Sequence, residues 1–285
     1  MRETVTDFRA TLPLILNLRN EAMRPRHWSQ LKTEIGKDFD QNSDEFTLEK
    51  VFSLGLHNFG EFIGTLSDTA NKELAIEMAL KEIDSAWRTI DIEMGSYKDS
   101  YFKIRSTDDL FAQLEDNVMA LSQMKASRFF KTFKDKITHW ESVLSHMSNV
   151  VELALAVQRS WMYLESIFMT SEDIRRQLPK ESKIFDKVNE LQCTIWKGFN
   201  DDSNAVNATQ QKHVLPGLEE MDQKLSVVQK SLDQYLEMKR QMFPRFYFLS
   251  NDDLLDILGQ QKDPSKVCSR CHISLSLSLS LSPFL

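Results

Sequence analysis

The chain has 285 residues, 41% of them hydrophobic and 27% charged, enough for one or two ordinary hydrophobic cores without disulfides or a structural metal. Its formal net charge of -7 argues against partners that require a broad positive field, namely nucleic acids and anionic membranes. Cys193, Cys268 and Cys271 are too few and too unevenly spaced for a disulfide framework, which indicates a reducing, cytoplasmic compartment.

The first strong pattern is helical. Apolar residues recur at steps of four and three, which is the spacing of one buried helix face. The residues that predict this face are Ile76, Leu80, Ile83, Trp87 and Ile90.

The apolar period then changes from the helical spacing to two. Ile90, Ile92 and Met94 alternate with acidic residues, and the stretch from Gly95 to Ser100 supplies turn residues. Alternation on both sides of a turn is typical of a β-hairpin, which we predict at about 90–105. After it, Ser106 fits a helix-capping pattern. The apolar face expected for that next helix is Phe111, Leu114, Val118 and Leu121.

The longest pattern runs without interruption from Phe133 to Phe168, with Lys136 as its one polar position. Such a run predicts a single long helix with a heptad seam, spanning roughly 50 Å at about 1.5 Å per residue. We therefore expect a mainly α fold made of elongated helical bundles. The predicted core of this helix comprises Phe133, Trp140, Val143, Met147, Val150, Val157, Trp161, Leu164 and Phe168.

Two further helices are predicted after it, and the three together can close a bundle. The polar stretch from Asn200 to Gln211 separates these two helices. Their apolar faces are Ile184, Val188, Leu191 and Ile195 in the first, and Leu218, Met221, Leu225, Val228, Leu232 and Tyr235 in the second.

A run of mostly apolar residues follows at 243–249, and Pro244 is suited to the beginning of a strand. We predict a short strand there and then a helix, capped by Ser250 or Asn251 and ended by Gly259.

The sequence contains only weak matches to known catalytic or cofactor-binding motifs. Gly36-Lys37 lacks the first glycine and the hydroxyl residue of a phosphate-binding loop, because Leu31 and Asp38 stand in those places. We therefore expect no catalytic and no cofactor-binding residue in this chain.

A C-x-x-C-H pattern at Cys268, Cys271 and His272 could attach haem or contribute to a zinc site, but we interpret it as coincidental because a fourth ligand and a targeting segment are lacking. The Leu-Ser alternation that follows predicts a low-complexity tail over 268–285, such as translation through a CT repeat would give.

Four segments resemble the linker region of dynein heavy chains, those of the axonemal branch most of all, and they occur in the same order along the chain. These are "MRPRHW" (23–28), "VQRSWMYLESIF" (157–168), "DIRRQLPKESKIFDKV" (173–188) and "FPRFYFLSNDDLLDILGQQKDP" (243–264). The similarity covers roughly 12–267, and we predict that the N-terminal segment before it, 1–11, is disordered. Its most specific residues are Phe243, Pro244, Arg245, Phe246, Tyr247, Phe248, Leu249, Ser250 and Asn251.

The resemblance implies a helical lever over a ring of AAA+ ATPase modules, which couples ATP hydrolysis to minus-end-directed movement on microtubules in the ciliary axoneme. It implies ATP and magnesium in the ring, intermediate and light intermediate chains as partners, and a non-catalytic role for this fragment. The hairpin near Tyr97 and the connection from Asn200 to Gln211 are hinge hypotheses, with plain loops as the alternative. A generic helical scaffold or coiled-coil interaction protein is the alternative function.

Overall fold

The computed structural model describes residues 14–40, 43, 47–98 and 101–259, so the predictions for 1–11 and 268–285 lie outside the described residues. The described part is mainly α, as predicted. The helices and strands whose two ends lie within it are ten α-helices, two 3-10 helices and the two strands of one sheet. The α-helices are α1 (Pro25–Ile35), α2 (Leu48–Ser53), α3 (Gly60–Trp87), α4 (Asp108–Ala126), α5 (Phe130–Phe168), α6 (Glu172–Gln177), α7 (Pro179–Asp201), α8 (Ala205–Gln210), α9 (Val214–Met242) and α10 (Asn251–Gly259).

The chain divides into two compact units. The first consists of Met1–Ala86 and Asn117–Glu141, and the second of Trp87–Asp116 and Ser142–Leu285. Each unit therefore contains segments that are far apart in the sequence.

The first unit has its own apolar cluster around α1. Trp28 packs edge-on against Phe39, with ring centroids 6.3 Å apart. Helix α1 begins at Pro25, whose missing N–H costs nothing in the first turn. It ends where Gly36 adopts a left-handed φ of 69° and donates its N–H to the Lys32 carbonyl. The buried members of the cluster are Leu14, Leu18, Leu31, Phe39, Leu54, Leu56, Ile63 and Leu66.

The second unit is built on the packing of α7 against α9. Close approach occurs near the start of α9, where a Cβ on Gly217 would lie 2.8 Å from Cδ1 of Ile195. The face predicted for α9 is buried throughout, at Leu218, Met221, Leu225, Val228, Leu232 and Tyr235. In α7 the prediction holds in part, because Val188 and Ile195 are buried while Ile184 and Leu191 are half-buried.

The hairpin is confirmed and is shorter than the predicted range. Strand β1 (Met94–Tyr97) pairs antiparallel with β2 (Tyr101–Ile104), and Met94 lies opposite Ile104. The chain leaves β1 through Lys98, which has a positive φ of 49°. Before the hairpin, Asp91 forms a single β-bridge with Asn204.

The strand predicted at 243–249 is wrong. Residues Pro244–Phe248 form a 3-10 helix, with Phe246 N–H donating to the Phe243 carbonyl at 2.9 Å and Leu249 N–H to the Phe246 carbonyl at 3.1 Å. A strand needs a neighbour to satisfy its backbone groups, and the described residues place none beside this segment. The helix predicted next is confirmed as α10, and Ser250 is its cap, because its Oγ accepts the Asp253 N–H at 3.1 Å.

The face predicted for α4 is partly wrong. Leu114 and Leu121 are buried, but Val118 is 42% exposed, and Asn117 beside it is buried instead. The buried face of α4 consists of Leu110, Leu114, Asn117, Leu121 and Met124, so it is rotated by about one residue relative to the predicted face.

Gln192 provides the first prediction, because it is fully buried in α7 and neither atom of its amide has a hydrogen-bond partner among the described residues. An unpaired buried amide costs about 1 to 3 kcal/mol. We expect Gln192→Leu to raise the free energy of unfolding by about 1 kcal/mol, measured by urea denaturation. Lower stability in this variant would mean that the amide is hydrogen-bonded after all.

Candidate functional site

The residues predicted for the core of α5 lie on one continuous stripe. Eight of the nine are buried, and Trp140 is half-buried. The stripe is wider than the predicted seam, because adjacent buried pairs recur every seven residues at 143/144, 150/151, 157/158 and 164/165. Paired positions indicate neighbours on two sides of the helix. The buried residues that the three-and-four spacing missed are Ile137, Leu144, Val151, Gln158, Glu165 and Ile167.

Gln158 joins α5 to the hairpin and to α7. Its Oε1 accepts the Ile104 N–H at 2.7 Å and the Trp196 Nε1–H at 3.0 Å, and its Nε2 donates to the Ile104 carbonyl at 3.0 Å. The side chain therefore pairs with both backbone groups of Ile104, as a neighbouring strand would. It satisfies polar groups that are shut off from water.

Trp161, three residues later, fills the space beneath the hairpin and is fully buried. Its ring lies 5.8 Å from that of Tyr97 and 5.2 Å from that of Tyr101. Its Nε1–H donates to Asn189 Oδ1 at 3.1 Å, and Asn189 donates to the Tyr101 hydroxyl at 3.2 Å. One indole thus contacts both strands of the hairpin and α7.

Glu165 is the third residue of α5 that contacts the hairpin. Its side chain is only 3% exposed and is paired with Lys98 in the turn. The Tyr97 hydroxyl also donates to it, at 3.4 Å. The hydrogen bond with Glu165 raises the pKa of Lys98. We name Gln158, Trp161 and Glu165 the hairpin clamp, because their spacing of three and four places them along one line of α5.

The connection between α7 and α8 is also firmly held. Asn204 accepts the Asn207 N–H at 3.2 Å as the cap of α8, and its Nδ2 donates to the carbonyl of Trp87 at 3.1 Å. Ile92 N–H donates to the Ser203 carbonyl at 2.7 Å. Both hinge hypotheses therefore stay predictions to be tested. Because of these bonds and the hairpin clamp, we expect slow amide hydrogen exchange in both segments, whereas fast exchange would support a hinge.

The "MRPRHW" segment forms a polar cluster with α3. Arg24 N–H donates to His27 Nδ1 at 3.0 Å, so the ring hydrogen lies on Nε2, which donates to Glu73 Oε2 at 3.0 Å. Arg26 also donates to Glu73, and Arg24 pairs with Glu77 at 3.0 Å. We name Arg24, Arg26, His27, Glu73 and Glu77 the His27–Glu73 cluster. No local sequence pattern indicates this cluster, because His27 and Glu73 are 46 residues apart.

The segment Phe243–Asn251 lies against the end of α9 and is largely exposed. Arg240 donates to the Leu249 carbonyl at 3.2 Å and to Asn251 Oδ1 at 2.7 Å. The Tyr247 hydroxyl donates to Glu237 at 2.7 Å. The specific residues of this motif are therefore held in place by polar contacts and are not part of a buried core.

The Gly36-Lys37 pair, compared above with a phosphate-binding loop, lies at the end of α1. Gly36 is the C-cap of α1, and Lys32, in the same helix, pairs with Asp38 at 3.1 Å. This hydrogen bond lowers the pKa of Asp38. The C-x-x-C-H motif lies outside the described residues. Over the described ranges, no helix combines the length and apolarity that a bilayer crossing requires.

Comparison with known proteins identifies clear relatives. A sequence model described as "Dynein heavy chain, N-terminal region 2" matches residues 1–273. The chain is 49% identical over 267 residues to the dynein-1-beta heavy chain of the flagellar inner arm I1 complex of Chlamydomonas reinhardtii, with 94% of the chain covered. It is 50% identical over 267 residues to dynein axonemal heavy chain 2 of Homo sapiens, with 93% covered. In both cases the chain spans 6% of the relative's length.

Proposed function

The chain belongs to the dynein heavy chain family, and from this premise we propose that it is part of the linker, the mechanical lever of an axonemal motor. In the full-length motor this lever would couple ATP hydrolysis in the ring to minus-end-directed movement along a microtubule. The axonemal placement is supported by the names of the relatives, which are axonemal and flagellar heavy chains.

The observation that supports a mechanical role is the continuous 39-residue helix α5. Its buried stripe keeps one heptad register from Phe133 to Phe168, and no proline interrupts it. A lever transmits force only if its long elements resist bending. The hairpin clamp adds resistance by fastening β1 and β2 to α5.

The partners follow from the same proposal. The lever would contact the AAA+ ring of its own heavy chain, and the complex would contain intermediate and light intermediate chains. Binding of ATP, magnesium and microtubules belongs to other parts of the full-length protein. This chain would contribute no catalytic step of its own, and Gly36, in the sequence segment nearest to a phosphate-binding pattern, is the C-cap of α1.

A break in α5 tests the lever proposal. Proline at Glu152, an exposed position in the middle of α5, removes one helical hydrogen bond and costs about 3 kcal/mol in helix stability. In a full-length heavy chain that contains this region, we expect Glu152→Pro to slow microtubule gliding several-fold while ATP hydrolysis continues. Gliding velocity and ATP turnover, measured on the same preparation, give the coupling.

Glu152→Ala is the matched control, because it removes the same side chain and leaves the helix backbone intact. We expect it to glide at the parent velocity. Unchanged gliding in the proline variant would rule out a lever role for α5.

A further inference from the structure

The turn between α4 and α5 and the beginning of α5 carry a concentration of positive charge. The range 117–140 contains five lysine and arginine side chains and one carboxylate, in a chain whose formal net charge is -7. This part of the first unit therefore has a local charge opposite in sign to that of the whole chain. The cations are Lys125, Arg128, Lys131, Lys134 and Lys136, and the carboxylate is Asp135.

Four of these five cations are exposed and have no carboxylate within ion-pair distance among the described residues. Lys125 is the exception, because its Nζ donates to both carboxylate oxygens of Glu141, at 2.8 and 2.9 Å. The guanidinium carbon of Arg128 lies 4.7 Å from the ring centroid of Phe129, a contact that leaves its charge without a counter-ion. We name Arg128, Lys131 and Lys134, which follow one another at steps of three, the basic surface.

The carboxylate of α3 that reaches α5 is already paired. Thr132, next to Lys131, donates to Glu73 Oε1 at 3.4 Å, and Arg26 donates to Glu73 Oε2 at 2.7 Å. Glu73 therefore adds no unpaired negative charge beside the basic surface. Over the described range 117–140, Asp135 is the one acid, and Lys136 next to it offsets its charge.

The basic surface lies where cations are unfavourable for the helix itself. The first turn of α5 contains no acidic residue, and Lys131 lies in it. The unpaired N–H groups at the start of a helix form the positive end of its dipole, which acidic side chains stabilise and cations destabilise. Helix stability therefore does not explain Lys131 and Lys134, and a binding role does.

The aromatic residues between these cations favour a peptide over a nucleic acid. Phe133 is buried, Phe130 is half-buried, and the Arg128 side chain lies over the ring of Phe129. Single-stranded nucleic acids need exposed rings on which bases stack, and duplexes need many phosphate contacts. A surface of three cations without an open ring suits a short run of carboxylates.

We propose that the basic surface binds a short acidic segment, rich in glutamate or aspartate, of a partner protein. Arg128 would hold one carboxylate through its planar fork of N–H groups, and Lys131 and Lys134 would pair with the next ones as point charges. Asp135 would repel a carboxylate placed beside it and so limit the register of the segment. This inference stands on the residues of this chain and does not depend on the lever proposal.

Three fluorescent probes test the proposal against the full chain: a peptide of alternating glutamate and glycine, its glutamine counterpart, and a single-stranded oligonucleotide with the charge of the glutamate peptide. In an anisotropy titration at low salt, we expect the glutamate peptide to bind at least about tenfold more tightly than the glutamine peptide. Added salt should weaken it. Equal affinity for the two peptides would overturn the proposal, and tighter binding of the oligonucleotide would assign the basic surface to nucleic acid and refute it.

A double charge reversal locates the binding. Lys131→Glu combined with Lys134→Glu should weaken the glutamate peptide at least about tenfold. Loss of folding would not explain this result, because acids at the start of α5 are favourable for the helix, and we expect a melting temperature no lower than that of the parent chain.

Lys183→Glu combined with Lys187→Glu is the matched control. It changes the net charge by the same amount at two exposed positions of α7, in the second unit. We expect this variant to bind the glutamate peptide with the parent affinity. An equal loss in both double variants would mean that net charge and not the basic surface governs binding, and would refute the proposal.

Asp135→Asn gives a test in the opposite direction. It removes the carboxylate beside the basic surface, so the glutamate peptide should bind severalfold more tightly. A gain of affinity cannot result from partial unfolding. Weaker binding by this variant would contradict the proposed placement of the acidic segment.

Discussion

Replacing Gln158 with leucine is expected to lower the free energy of unfolding by about 3 to 5 kcal/mol. Leucine fills a similar volume but offers no hydrogen bond. The Ile104 N–H, the Ile104 carbonyl and the Trp196 Nε1–H would then be buried without the partner they have now. Each such group costs about 1 to 3 kcal/mol, and the costs are not fully additive because one side chain serves all three.

Urea denaturation followed by circular dichroism measures the loss of stability, and hydrogen exchange locates it. The amide of Ile104 should exchange much faster in Gln158→Leu, because it loses its acceptor. Gln192→Leu is the matched comparison, since the same substitution is made at a second buried glutamine in the same unit. We expect opposite signs, because only Gln158 has hydrogen-bond partners. Equal effects would show that burial alone governs both positions.

Replacing Glu73 with alanine is expected to lower the free energy of unfolding by a similar amount, about 3 to 5 kcal/mol. His27 is 1% exposed, and its Nε2–H donates to Glu73. Arg26 and Thr132 also donate to this carboxylate, the latter at 3.4 Å. Alanine would leave the imidazole N–H buried without an acceptor and would remove the polar contacts of Arg26 and His27 with α3.

Two controls separate this cluster from an ordinary surface ion pair. Glu73→Gln keeps an oxygen that can accept the His27 N–H, so we expect a loss of about half the alanine value. Glu220→Ala removes one member of the exposed Glu220–Lys224 pair and should change stability by less than about 0.5 kcal/mol. If Glu73→Ala costs no more than Glu220→Ala, the His27–Glu73 cluster does not hold the first unit together.

Some of the structure could be predicted because its signals are local. The heptad pattern of α5 and the faces of α7 and α9 depend on residues three and four positions apart. The hairpin also depends on neighbours, since its strands are joined by a short turn. The Ser250 cap needs only an amide three residues away.

The error at 243–249 has a different origin. An apolar run after a proline is compatible with a strand or with a 3-10 helix, and the choice depends on whether another strand lies alongside. Such a neighbour cannot be found in the run itself. Burial could not be predicted for the same reason. An apolar run does not show whether its aromatic side chains lie in the core or on the surface, and Phe243 and Phe248 lie on the surface.

The sequence by itself determined that the protein is mainly helical, that α5 is one long helix, and that the chain is related to dynein heavy chains. Only the tertiary structure decided which polar residues are buried and what they bind. Gln158 meets Ile104 across 54 residues and His27 meets Glu73 across 46. The physical reason is range: helical periodicity arises from contacts within one or two turns, whereas a buried hydrogen bond requires a partner that only the folded chain brings near.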